Sequence, residues 1–444
     1  MTIRHRNRIL GAALVWTGVA FVFFTFAQPA SAIPVFARKY KTSCSTCHTI
    51  IPKLNHFGLA FRANGYRIPV NDPKFIKVED VSLGAPAWKK LWPKEGIWPG
   101  AVSGQPPIAI RALLDMNITT NKPVTTNFDF PHEFEILTGG NLGEGVSYFG
   151  ELEFEGDEFD IARIFINFDN IRGTPLLNVR VGRFETVATP FSRFYRRLTS
   201  ADYNISSDYQ IKAADFAVSG SDKGFRFKDR QQGLEFYGAR TGPDNRGGFE
   251  YGIGIVNGSG SSKDTNSHKD FEWSLAYKFW GYGVTGPIGE EEVESLQIAD
   301  NFVDNSIKIG AFGYVGRIPF AGSENRYRRT GIKVDAFFQK LNLYGAIVWG
   351  EDKLLTPRRI VDSSAWFLEA DYVLTPWIIP LVRFEKTDIE GRPDSIKRVI
   401  PALNLALRAN VRLLIEGRFT VRDKGIDPAL LPRNEGRVRL DIVF

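Results

Sequence analysis

"VRLLIEGRFTVR", residues 411–422, places Val411, Leu413, Ile415, Gly417, Phe419 and Val421 on one side of an extended chain. Arg412, Glu416, Arg418, Thr420 and Arg422 fall on the other. Successive side chains of a strand point to opposite faces, so this segment has one greasy face and one charged face. A soluble sandwich buries the apolar face under a second sheet, whereas a membrane barrel turns it to lipid and keeps the charged face in an aqueous lumen. The last residues, "RVRLDIVF" (437–444), decide between the two. Val438, Leu440, Ile442 and the terminal Phe444 alternate with Arg437, Arg439 and Asp441, and an amphipathic last strand closing on an aromatic resembles the insertion signal of outer-membrane proteins.

The same alternation recurs upstream. "IAIRALLDMNIT" (108–119) sets Ile108, Ile110, Ala112, Leu114, Met116 and Ile118 against Arg111, Asp115 and Asn117. "GVSYFGELEFEGD" (145–157) sets Val146, Tyr148, Leu152 and Phe154 against Ser147, Glu151, Glu153 and Glu155. Further strands are predicted over 158–169, 175–184, 224–230, 232–241, 247–257, 270–280, 306–316, 328–339, 341–350, 363–374, 376–387 and 394–408, with a weak one at 132–138. Single-chain barrels of the bacterial outer membrane have an even strand number, so the expectation is an all-β transmembrane barrel of about 16 antiparallel strands, give or take about two. The 35 Phe, 14 Tyr and 9 Trp among 444 residues suit the aromatic girdles of such a barrel. Long connections are expected at 185–222, 258–269, 281–305 and 351–362. The first holds "TVATPFSRFYRRLTSADYNISSDYQ" (186–210), which either folds into the pore or covers its outer mouth.

The N-terminus sets the address. Arg4, Arg6 and Arg8 precede the apolar run from Ile9, and Ala30-Ser31-Ala32 is a small-x-small cleavage site. This reads as a secretory signal peptide over 1–32, with the mature chain starting at Ile33. Its removal takes the 56 basic residues to 53 against 50 acidic ones. A net charge near +3 argues against a dedicated nucleic-acid binder. After it, no stretch approaches the roughly 20 apolar residues of a membrane helix.

The only two cysteines stand in "KTSCSTCHTI" (41–50), three apart, with His48 directly after the second. Cys-x-x-Cys-His is the attachment pattern of c-type haem: Cys44 and Cys47 would bond the two vinyl groups, and His48 would lie below the iron as proximal ligand. A redox dithiol is the competing reading of the cysteines; the histidine and the secretory leader favour haem. The distal ligand stays open. Met116 falls on the lipid side by strand parity. His56 cannot reach the other haem face along a continuous helix, His132 sits at a strand end, and His268 lies in a loop. "GIGIVNGSGSS" (252–262) ends a strand instead of opening a helix and makes a poor nucleotide loop.

Around the motif, Phe36-Ala37-Arg38, Pro52-x-Leu54, Phe57-Gly58, Phe61-Arg62 and Gly65-Tyr66 flank Cys44, Cys47 and His48. This set resembles the signature of the fused outer-membrane monohaem cytochrome–porins, which include the outer-membrane iron oxidases of iron-oxidising bacteria. The resemblance implies a small α-helical or irregular c-type cytochrome segment over 33–70, a linker over 71–106, and a porin-like barrel over 107–444. It implies one covalent haem c at Cys44, Cys47 and His48. It also implies an iron:cytochrome c oxidoreductase activity, with electrons taken from extracellular Fe(II) or another external donor and passed to a periplasmic cytochrome. A diffusion porin with a haem plug or sensor, and a conduit running outward to external acceptors, are the alternatives. His56 departs from the pattern, which has proline before Phe-Gly. Lastly, Glu133, Glu135, Glu151, Glu153, Glu155, Asp157, Glu158 and Asp160 form an acidic set on neighbouring strands. Its residues are read as ordinary solvated pore charges paired with arginines, with no cation site assigned.

Overall fold

A computed structural model describes residues 35–78, 80–82, 90, 93, 101–104, 106–119, 125–143, 145–211, 224–260, 264, 266–287, 289–295, 304–320, 323–355, 358–392, 395–421 and 434–444. The predicted signal peptide (1–32), the start of the mature chain at Ile33 and the tryptophan-bearing part of the linker lie outside these residues.

The amphipathic segments close into one antiparallel barrel of 16 strands. They are β1 (Ile108–Thr119), β2 (Thr126–Asn141), β3 (Val146–Glu155), β4 (Glu158–Phe168), β5 (Asn178–Phe184), β6 (Gln231–Thr241), β7 (Arg246–Val256), β8 (Asp270–Tyr282), β9 (Asp304–Phe320), β10 (Ser323–Gln339), β11 (Leu341–Leu355), β12 (Arg358–Tyr372), β13 (Ile378–Ile389), β14 (Ile396–Arg408), β15 (Val411–Val421) and β16 (Glu435–Val443). Each strand pairs with its sequence neighbours, and β16 closes the ring on β1 through pairs such as Arg439 with Asp115 and Leu440 with Leu114. Closure removes every sheet edge, the condition for backbone to cross a layer that offers it no hydrogen bonds.

The faces sort as the alternation requires. On β15, Arg412, Leu414 and Glu416 are buried in the lumen while Ile415, Phe419 and Val421 are exposed outside. Exposed aromatics gather at both rims: Phe128, Phe159 and Phe271 at one, Trp280, Phe338, Tyr372, Trp377 and Phe444 at the other. These are the girdles of a barrel set in a bilayer.

Three predicted boundaries change. Residues 224–230 are not a strand; Phe225 and Phe227 alternate with polar neighbours, yet both rings are spent inside the lumen, on Tyr314 at 4.4 Å and Phe312 at 5.8 Å between centroids. The weak segment at 132–138 is the middle of the longer β2. Most of the predicted loop 351–362 belongs to β11 and β12. Its charges pair across strands, Arg328 with Glu351 at 2.9 Å and Arg329 with Asp352 at 2.8 Å.

The lumen is filled from both ends. The rim where β1 begins and β16 ends, the near rim, receives residues 35–78. From the far rim the long β5–β6 connection folds inward. Its Phe191, Tyr203, Ile205 and Tyr209 join Tyr344, Phe367 and other wall residues in one buried cluster. Arg383 of the wall donates to Thr199 Oγ1 at 2.9 Å and to the Ala201 carbonyl at 3.1 Å, and Arg412 donates to the Leu198 carbonyl at 3.2 Å. Of the two placements open for 186–210, folding into the pore is the observed one.

A candidate cofactor site in the lumen

Residues 35–78 form a plug of short elements: α1 (Val35–Tyr40), a single 3₁₀ turn over Cys44–Thr46, a two-stranded ribbon of His48–Ile50 with Lys53–Leu54, α2 (His56–Ala63) and α3 (Asp72–Phe75). So few residues cannot bury a core alone, and the wall completes it. Lys53 donates to Asn342 Oδ1 at 2.7 Å and to the Asp371 carboxylate. Asn141 donates to the Gly65 carbonyl at 2.6 Å, and Asn170 to Asn64 at 2.7 Å. The plug also meets the inward-folded loop, Leu54 N–H donating to the Tyr195 carbonyl at 3.0 Å.

The turn carrying the cysteines is clamped by a residue the motif reading missed. Asn55 caps α2, its Oδ1 accepting the Gly58 N–H at 2.9 Å. Its Nδ2 donates to the carbonyls of Ser45 at 3.2 Å and Thr46 at 3.0 Å, and its backbone N–H donates to the Cys47 carbonyl at 2.9 Å. The one sequence signal for it was asparagine immediately before a helix. Gly58 lets α2 lie against the same turn, since a Cβ there would stand 2.2 Å from the Cys47 carbonyl oxygen.

Cys44, Cys47 and His48 all open onto one cavity of about 620 Å³, within the usual range of small-molecule and cofactor sites. Phe36, Tyr40, Phe57, Phe61 and Tyr66 form its plug side; Arg111, Glu135, Glu151 and Arg163 form its wall side. The wall charges are paired, Arg111 with Glu135 at 3.0 Å and with Asp441 at 2.8 Å, Arg163 with Glu151. Burial pushes the Cys47 thiol up to about 12 and raises that of Cys44, and the two are not joined to each other; the protonated thiol is the form that adds to a vinyl group. Burial also holds the His48 imidazole down to about 4. Its Nδ1 donates to the Pro52 carbonyl at 3.2 Å. A neutral imidazole tied through Nδ1 presents Nε2 to a metal, and a backbone carbonyl is a usual partner for the other nitrogen. Two thiols, one oriented imidazole and an apolar slot together fit a c-type haem.

The remaining predicted residues separate. His56 stacks on Tyr282 at 3.6 Å between centroids and 4° between planes, outside the lining of this cavity. His132 lies 2.7 Å from Asp129 and His268 faces Arg317 at 2.9 Å. Of the acidic set, Glu135 and Glu151 are buried beside the cavity, whereas Glu155, Asp157 and Glu158 are exposed at the β3–β4 hairpin. Glu133, Glu135 and Glu153 bring one oxygen each within 4.8 Å of one another, but Glu135 is held by Arg111 and Glu153 by Arg230.

No protein-family model and no curated relative matches the sequence. Solved structures do match the barrel. The anion-selective porin of Comamonas acidovorans aligns over 76% of this chain and 99% of its own, with 12% identity and a TM-score of 0.51. OmpF of Salmonella typhi, solved with daunomycin, aligns over 76% of this chain and 97% of its own, with 11% identity and a TM-score of 0.49. At this identity the likeness is one of fold. The chain has the closed 16-strand barrel of an outer-membrane porin.

Proposed function

We propose that this protein is an electron conduit of the bacterial outer membrane, a porin-type barrel holding one haem c on Cys44, Cys47 and His48. In this reading it takes electrons from extracellular Fe(II), or another external donor, and hands them to a periplasmic cytochrome. The observation that carries it is the apolar cavity onto which both thiols and the oriented imidazole open. Haem c, when bound, supplies a one-electron redox centre. The chain does the rest. Asn55 and Gly58 hold the attachment turn, His48 stays neutral, and the plug and the 185–211 fold occupy the lumen. Apart from 283–303, the near-rim connections are short, as periplasmic turns are. That orientation puts the cavity toward the periplasm, within reach of a soluble partner.

On fold alone, the porin comparisons stand closer to a second reading, a diffusion porin whose haem segment plugs or senses. The doubly filled lumen supports the conduit over it. Purified protein separates them. The conduit reading expects Fe(II) to reduce the haem rapidly, and expects small sugars not to enter liposomes carrying the protein. Sugar entry that is unchanged in His48→Ala, together with a haem inert to Fe(II), establishes the porin reading instead. A measured midpoint potential tells inward from outward electron flow.

A further inference from the structure

We infer that, among the described residues, His48 is the one histidine or methionine placed to ligate a haem iron in this cavity, and that a haem held there would take a small exogenous ligand such as carbon monoxide, cyanide or imidazole. This rests on the haem reading above and extends it to the coordination of the metal.

A second strong ligand in a c-type haem protein is a histidine or a methionine. The sequence has five histidines and two methionines. His5 and Met1 belong to the predicted leader and lie outside the described residues. Every other candidate is committed elsewhere. The His56 ring lies flat on Tyr282, and it borders a separate small cavity with Thr49, Lys278 and Asp304. It opens α2, whose next residue, Phe57, lines the haem cavity. One helical step turns a side chain by about 100°, which points the two rings apart. His132 is bound to Asp129 at 2.7 Å and lies 3.8 Å from Asp115. His268 faces Arg317 beyond the far rim. Met116 follows Asp115, which is fully buried and held by Arg439 at 2.6 Å, so strand parity turns the thioether toward lipid. Three tyrosines line the cavity: Tyr40 donates its hydroxyl to Asp72 at 2.7 Å, the Tyr66 ring is stacked on Phe36 at 5.1 Å, and the Tyr195 ring lies under the Arg62 guanidinium at 4.3 Å.

The experiment uses full-length protein extracted from outer membranes in detergent. Haem staining after denaturing electrophoresis first establishes covalent attachment. The ferric protein is then expected to give a high-spin paramagnetic resonance signal, and the dithionite-reduced protein to shift its Soret band on adding carbon monoxide. His56→Ala, His56→Gln and Met116→Leu should leave both spectra unchanged. A low-spin, carbon-monoxide-inert wild type overturns the inference, and a variant that converts it to high spin names the missing ligand. Loss of haem staining in the wild type removes the haem reading itself, an outcome the gel distinguishes from a low-spin spectrum.

Discussion

His56 carries a pH dependence that follows from where its ring is held. Burial lowers its imidazole to about 4, and the nearby Lys278 ammonium adds to the effect while Asp304 opposes it. In the unfolded chain the same ring takes a proton near pH 6.5, which the folded one refuses until about pH 4. The plug is therefore fully stabilised above pH 6.5 and loses stability as pH falls toward 4, by at most about 3 kcal/mol for this group. Cleavage within residues 35–78 by a protease active at acid pH, normalised at each pH to an unfolded peptide of the same sequence, should accelerate as pH falls over that window in the wild type, and the acceleration should flatten in His56→Gln. An equal pH dependence in the variant would assign the effect to another residue. His56 was legible in the sequence as a departure from a pattern and as a histidine that a continuous helix keeps from the other haem face; its role as a flat packing partner for Tyr282 needed the tertiary structure. Asn55 shows the same limit, since a cap is readable locally but its two side-chain bonds to the cysteine turn are not.

At the scale of the elements, α2 and the cysteine turn form one unit because Gly58, with no side chain, lets their backbones touch. Replacing Gly58 with alanine puts a methyl 2.2 Å from the Cys47 carbonyl oxygen and 2.9 Å from Leu54 Cδ2. The Leu54 side chain can turn aside, but the Cys47 carbonyl is not free to retreat, because it accepts from the Asn55 N–H. The substitution should cost about 1–3 kcal/mol, the usual range for forced overpacking. It should also lower the share of haem-stained protein while barrel assembly, read by resistance to unfolding in cold detergent, stays at the wild-type level. Equal loss of barrel assembly would mean that the plug is needed to close the wall. The strands were readable element by element, because a period of two survives any neighbour. The segment 224–230 misled for the same reason: its alternation was real, but it belongs to the inward-folded loop and its rings pack as core on the wall residues Tyr314 and Phe312.

For the whole molecule, the filled lumen is the distinctive property. Leu198 of the loop and Ile50 of the plug meet in one buried cluster with the wall residues Val373, Ile379, Leu381, Ala402 and Leu414. Deleting residues 35–78 removes one of two obstructions and should raise single-channel conductance in planar bilayers above the low level expected of the full chain. A full chain that already conducts as openly as its deletion variant would show that solutes pass the plug. The fold class, a strand number of about 16 to within about two, and the outward face of nearly every strand were legible in the sequence alone, because the bilayer makes one face of each strand apolar and closure needs only neighbouring strands to pair; the tertiary structure fixed the count at 16. The Cys44-x-x-Cys47-His48 motif was equally local, three residues fixed by spacing. What the tertiary structure alone decided was the use of the inside: that the β5–β6 connection enters the pore, that Lys53 finds Asp371, and that the cysteines and His48 face one cavity while His56 turns away. Those contacts join residues far apart in the chain through a polar lumen that imposes no periodicity, so they leave no local pattern to read.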